Sequence, residues 1–171
     1  SGIEAAVVDL YQQHKVILTP LETTSPQAIN RVTQMWKVAG AEVQTLGVEQ
    51  HDLVLAATSP LPHVVAYSLV DTISRTDFVD EIFQFAAGGF RDSSRTASSD
   101  PTMWRDICLE NKHAILDCVT AFQNNLAGLR ELIEKSDAEK LFEFFRNAKE
   151  IRDANVMKAS PKFAGHDESN S

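Results

Sequence analysis

Lys15-Val16-Ile17-Leu18-Thr19-Pro20, then Ser25-Pro26, then Gly40-Ala41-Glu42-Val43-Gln44-Thr45-Leu46 are the landmarks that decide the architecture. His14 to Thr19 reads as a strand, with Val16 and Ile17 suited to a pleated surface and Pro20 ending the ladder. Ser25 before Pro26 has the form of a helix start: a hydroxyl N-cap, then a proline at the first helical position. Ile29, Val32, Met35, Trp36 and Ala39 then follow the helical period, and Gly40 suits a C-terminal cap. Glu42 to Leu46 reads as a second strand. Strand, helix and strand make one βαβ unit, expected to be right-handed. Two strands are too few for an independent sheet, so the unit reads as the end of a larger α/β layer. From Val48 onward no further strand pattern occurs. The expected fold is therefore mainly α, with a short α-β-α-β remnant leading into an all-helical region.

Working outward, Ser1 to Gln13 carries Ile3, Ala6, Val7 and Leu10 at helical spacing and is expected to be a helix. Downstream, Glu49 to Ala57 reads as a helix that Ser59-Pro60-Leu61-Pro62-His63 should break or kink, because proline removes a backbone donor and crowds the preceding turn. Val64, Val65, Leu69, Val70 and Ile73 follow on a strongly apolar helix, and Phe78 to Ala87 reads as another. Asp100-Pro101 repeats the cap-and-proline start, opening one long helix from Trp104 to Lys135. Ser136-Asp137-Ala138-Glu139 has capping-box spacing, with Ser136 as the expected cap. The final helix carries Leu141, Phe142, Phe144 and Phe145, more apolar bulk than one buried stripe needs. A subunit interface and an intramolecular core both account for it. The expected divisions are 1–47, 48–153, and a polar, disordered tail over 154–171.

Composition narrows the function classes. The 171 residues are 43% hydrophobic and carry a net charge of −8, which argues against nucleic acid or an anionic membrane as the main partner. No run of about 18 apolar residues predicts a membrane span, and no signal peptide is expected. Cys108 and Cys118, placed on one helix, would stand about 15 Å apart, too far for a disulfide. That pattern suits a reducing cytoplasm. No metal-ligand spacing, P-loop, nucleophile elbow or Gly-x-Gly-x-x-Gly is present.

The least generic stretch is Gly88 to Ile107, with three arginines, three aspartates and six hydroxyl residues in twenty positions. It is expected to be a polar segment between apolar helices, where scaffolds tend to present sites. Arg91 and Arg95, four apart, suit a carboxylate ligand, since a guanidinium binds one bidentately. The aspartates make the stretch neutral overall, so composition alone favours a self-neutralised loop.

Several pieces in order resemble the prephenate dehydrogenases, including the arogenate and dual-specificity cyclohexadienyl forms. Ser1 to Ala6 resembles the end of that family's His-Pro-Ile-Ala-Gly-Ser-Glu-Lys-Ser-Gly segment. Lys15 to Pro20, Gly40 to Val43 and His51-Asp52 resemble its next landmarks. Ser59-Pro60-Leu61-Pro62-His63 is similar to its Ser-His-Leu-Pro-His motif, with Pro60 in place of the first histidine. Gly88 to Arg95 and Ser99 to Ile107 are the most specific matches. The resemblance implies that 1–47 is the C-terminal remnant of a Rossmann-type nucleotide-binding domain and 48–153 a dimerising, substrate-binding helical domain. It implies oxidative decarboxylation of prephenate or arogenate in tyrosine biosynthesis, with NAD or NADP held mainly by the N-terminal domain.

By the same resemblance, Arg95 would bind a substrate carboxylate. His63 would line the pocket with Ser59 close by, and Trp104 would contact the substrate's side chain. Arg91, with Asp92 as its ionic partner, would reach the partner subunit's site in a homodimer. Gly88 falls in the region of tyrosine feedback, with L-tyrosine as the inhibitor. The catalytic base, a histidine, is expected upstream of Ser1, so residues 1–171 alone are expected to be inactive. Continuation after Ser171 into another pathway enzyme is a further possibility, since such fusions occur in the family. Two other readings remain: a non-catalytic helical interaction module, and the helical domain of another NAD-linked dehydrogenase.

Overall fold

The computed structural model describes residues 9–159, with side chains described through residue 155. Two parallel strands, β1 (Lys15–Leu18) and β2 (Glu42–Thr45), pair in register from Lys15 opposite Glu42 to Leu18 opposite Thr45. A parallel pair needs a crossover, and α1 (Pro26–Val38) supplies it. Ser25 caps α1 as expected, its Oγ accepting from the Ala28 N–H at 3.2 Å. At the other end Gly40 has φ +86°, a conformation that leaves a β-carbon little room. The Gly40 N–H donates to Lys37 and the Ala41 N–H to Trp36, at 3.0 and 3.1 Å. This paired closure satisfies two carbonyls that the helix end leaves open.

Upstream of β1, residues Asp9 to Gln13 form turns rather than the last part of a helix, with Gln13 at φ 61°. Tyr11 instead packs edge-on against Trp36 of α1, ring centroids 4.9 Å apart. The rest of the helix expected over Ser1 to Gln13 lies outside the described residues.

Helices occupy the remainder of the described chain: α2 (Val48–Thr58), α3 (Pro60–Ser74), α4 (Val79–Gln84), α5 (Gly88–Ser94), α6 (Pro101–Glu110), α7 (Lys112–Glu134) and α8 (Ala138–Ala159). The proline-rich break falls as expected at Ser59, with φ −127° and ψ −65°, between α2 and α3. By length and composition alone, Val48–Ser74 is long and apolar enough to cross a membrane, although Ser59, Pro60, Pro62 and His63 interrupt its apolar run. That stretch also contributes the buried Ala56, Pro60 and Ala66 to the helical packing.

Three expectations need correction. The polar segment after Gly88 is helical, as α5 followed by a 3-10 turn over Arg95–Ser98. Phe90 packs edge-on against Phe83 at 5.8 Å, and Ser94 Oγ donates to the Phe90 carbonyl, so tertiary packing orders a sequence that composition reads as a loop. Because Ala87 turns extended to start α5, α4 stops short of the Phe78-to-Ala87 span. The single long helix from Trp104 is two helices, broken at Asn111, whose Nδ2 donates to the Asp52 carbonyl at 2.9 Å. That bond ties the α6–α7 corner to α2. It also puts Cys108 and Cys118, both free thiols, on different helices.

The chain divides by contact into two compact units, between Val119 and Thr120, within α7. In the first unit the helical core is small. Ala56, Ala114 and Ile115 are buried together, with Ile107, Cys108, Cys118 and Val119 packed against them. Asp100 caps α6 as expected, its Oδ1 accepting from Thr102 and Met103. An Asp100→Ala variant is expected to lose about 1 kcal/mol. In a thermal melt this is a drop of roughly 2–4 °C, and an unchanged melting temperature would reject the capping role.

In the second unit α8 is capped by Asp137, not Ser136. Asp137 Oδ1 accepts the Lys140 N–H at 3.1 Å, while Ser136 sits at φ 52° in the preceding turn. The helix runs through Ala159, past the expected start of the tail at 154; residues 160–171 lie outside those described. The Lys140 ammonium, and then its backbone N–H, hold the Asp137 carboxyl below the usual carboxylate range. A lowered folded value gives stabilisation that is complete above the ordinary aspartate pKa of about 3.9 and is lost as pH falls through the lowered value. Backbone chemical shifts of the first turn of α8 should therefore move in acid, and Asp137→Asn should abolish that step.

Candidate functional site

Two helices bring two motifs face to face. On α3, His63 and Tyr67 stand four residues apart, one turn along the same face. On α6, Trp104 and Cys108 have the same spacing. The His63 and Trp104 rings stack with centroids 3.7 Å apart and planes 23° from parallel. A cleft of about 290 Å³ opens against this stack, lined by His63, Val64, Tyr67, Pro101, Trp104, Arg105 and Cys108.

Local sequence explains the placement. Pro60 starts α3 and puts His63 in its first turn, where the Ser59 carbonyl accepts the His63 backbone N–H at 3.4 Å. His63 Nδ1 lies 2.9 Å from that oxygen. A carbonyl only accepts, so Nδ1 carries the proton and Nε2 remains the free ring nitrogen. Asp100 and Pro101 start α6, and Trp104 falls one turn in, with its N–H bonded to the Asp100 carbonyl. Trp104 is 8% exposed. Its indole Nε1 is buried without a hydrogen-bond partner, the one such side-chain atom among the described residues.

The other expected site residues lie outside the cleft lining. Ser59 contributes its carbonyl to His63. Arg95 begins the 3-10 turn, exposed and with no ion-pair partner among the described residues. Arg91 and Asp92 are both exposed on α5, and no ion pair joins them within the chain. A side chain at Gly88 would meet nothing within 4 Å, so no close approach demands glycine there. Sequence reading missed Tyr67, Arg105 and Cys108. The i, i+4 spacing from His63 and from Trp104 was the available signal for Tyr67 and Cys108. Among the described residues no cluster of three or more His, Cys, Asp or Glu is placed to hold a metal.

The family model described as the prephenate dehydrogenase dimerization domain matches residues 47–147, and that of the nucleotide-binding domain matches residues 1–45. The chain belongs to the prephenate dehydrogenase family. Cyclohexadienyl dehydrogenase of Zymomonas mobilis is 39% identical over 89% of this chain and 53% of its own length. Prephenate dehydrogenase of Bacillus subtilis is 41% identical over 90% of this chain and 42% of its own. Among solved structures, prephenate dehydrogenase from A. aeolicus in complex with hydroxyphenyl propionate and NAD+ superposes with a TM-score of 0.83. It is 39% identical, over 93% of this chain and 55% of that one. The chain thus spans about half the length of these relatives.

Proposed function

We propose that this chain is the substrate-binding and dimerising part of an NAD(P)-dependent prephenate dehydrogenase of tyrosine biosynthesis, a cytoplasmic enzyme acting on prephenate or arogenate. The observation that carries the reading is the His63–Trp104 stack over its cleft. Two motifs separated by forty residues of sequence meet where a single-ring ligand fits.

In the proposed reaction the ring carbon bearing the 4-hydroxyl loses a hydride while a base holds the hydroxyl proton. The bond to the ring carboxylate breaks, CO2 leaves, and its electron pair aromatises the ring. Arg95 takes a substrate carboxylate as a charge-assisted pair. The His63 ring, fixed by the Ser59 carbonyl, walls the pocket with Trp104, which contacts the substrate's side chain. Arg91 and Asp92 serve the partner's site, and the region of Gly88 serves tyrosine regulation.

A nicotinamide cofactor accepts the hydride when bound. The residues here do not form its phosphate cradle: no Gly-x-Gly-x-x-Gly occurs, and the loop after β1, Thr19 to Ser25, contains no glycine. We therefore assign cofactor and base to the remainder of a longer protein, with 1–47 as the end of the cofactor domain and 48–153 as the helical domain. Homodimerisation is supported by the family description and by α8, where Phe142, Phe145 and Ile151 are 64%, 57% and 65% exposed.

The test is NADH or NADPH formation by the full-length protein with prephenate, with arogenate in parallel and CO2 release measured. Reduction with either substrate is expected, and none with either would overturn the reading. Residues 1–171 alone should give none; reduction by them would overturn the division of labour.

A further inference from the structure

Tyr67 is not part of the carboxylate chemistry proposed above, yet it stands where the two halves of the substrate site join. Its ring lines the cleft beside His63 and Trp104. Its hydroxyl donates to the Ser99 carbonyl at 2.6 Å, across 32 residues of sequence. Ser99 is the junction: it ends the 3-10 turn that Arg95 begins, and it is followed by Asp100, the cap of the Trp104 helix. Ser99 is extended, with φ −73° and ψ 166°, so its carbonyl belongs to no helix ladder. Few other bonds hold this corner. The Ser99 N–H donates locally to Thr96, and the Asp100 carboxylate serves the first turn of α6.

We infer that Tyr67 is a positioning residue, whose hydroxyl latches the Ser99 corner to α3 and so sets Arg95 relative to the His63–Trp104 cleft. The hydroxyl acts through backbone, which is why no neighbouring side chain reports it. The reasoning is geometric: a rotation at Ser99 changes the direction of the chain between Arg95 and Trp104. One short hydrogen bond from a side chain that itself walls the cleft opposes that rotation. The inference rests on the proposed role of Arg95, and the experiment separates the two.

Tyr67→Phe keeps the ring in the cleft and removes only the latch. In the full-length protein KM for prephenate should rise roughly tenfold, as for a lost bond that leaves its acceptor unpaired, with kcat and KM for the cofactor unchanged. In an Arg95→Ala background the same substitution should add little, because the two act as one unit. Equal effects in both backgrounds, or an unchanged KM, would overturn the positioning role. Amide hydrogen exchange of residues 95–100 gives a reading independent of turnover. Tyr67→Phe should accelerate it while α2 is unaffected. If the wild-type protein does not oxidise prephenate or arogenate, the functional proposal fails. Exchange at 95–100 then decides the latch by itself, and no change there would overturn it.

Discussion

Trp104→Ala is expected to be the most destabilising single change in the first unit, at about 3–5 kcal/mol. The indole is 8% exposed and stacks at 3.7 Å on His63. Truncation removes the floor of the cleft and leaves a cavity between α3 and α6, in a unit whose buried apolar set is otherwise mostly alanine. A small core has few neighbours able to collapse into such a void, so relaxation recovers little of the loss. Trp104→Phe separates packing from polarity. Nε1 is buried and unpartnered, so phenylalanine gives up no hydrogen bond and relieves an unsatisfied donor. Its cost should be well below that of alanine in denaturant unfolding of the full-length protein. Equal losses for the two would mean that the stack contributes little. His63 should report the same change: without the indole its ring loses one face, while the Ser59 carbonyl still holds Nδ1.

The parts of this fold that were legible in sequence are those specified locally. Ser25-Pro26 and Asp100-Pro101 each place a cap and a preset dihedral at a helix start, and both helices begin there. Gly40 at positive φ and the Ser59-Pro60 break are likewise set by single residues. Two of the errors fall where a distant partner decides. Asn111 interrupts a well-patterned helix because its side chain reaches the Asp52 carbonyl, 59 residues away. The Gly88 to Ser99 stretch looks like a loop by composition, but Tyr67 and Phe83 order it from outside. Ser136 matched the capping-box spacing, yet Asp137 takes the role because its carboxylate reaches both the N–H and the ammonium of Lys140. The site divides the same way. His63 and Trp104 were found by motif and do meet. Tyr67 and Cys108 stand one helical turn from them, a spacing legible in the sequence, but the packing of α3 against α6 decides that this face lines the cleft. The exposed phenylalanines of α8 were visible as surplus apolar bulk, and the structure leaves them exposed.

Arg95→Ala is expected to have the largest effect on substrate affinity with the least effect on folding. Arg95 is exposed and makes no ion pair among the described residues, so its removal costs the free protein no salt bridge. A charge-assisted bond to a carboxylate contributes about 1.5–3 kcal/mol where water is excluded. That is roughly a ten- to hundredfold rise in KM for prephenate. If the bound pair instead stays in solvent, its worth falls below about 1 kcal/mol and the rise to a few-fold. The magnitude therefore measures how completely the assembled protein closes over a residue that is open here. Arg95→Lys should lie between, since it keeps the charge but loses the planar fork. Ionic strength supplies the control. Salt should raise the wild-type KM by screening the approach of a dicarboxylate to an unpaired cation, and the alanine variant should lose most of that dependence. An alanine variant with unchanged KM and unchanged salt response would remove Arg95 from the site and leave Arg105, the cation that lines the cleft, as the residue to test next.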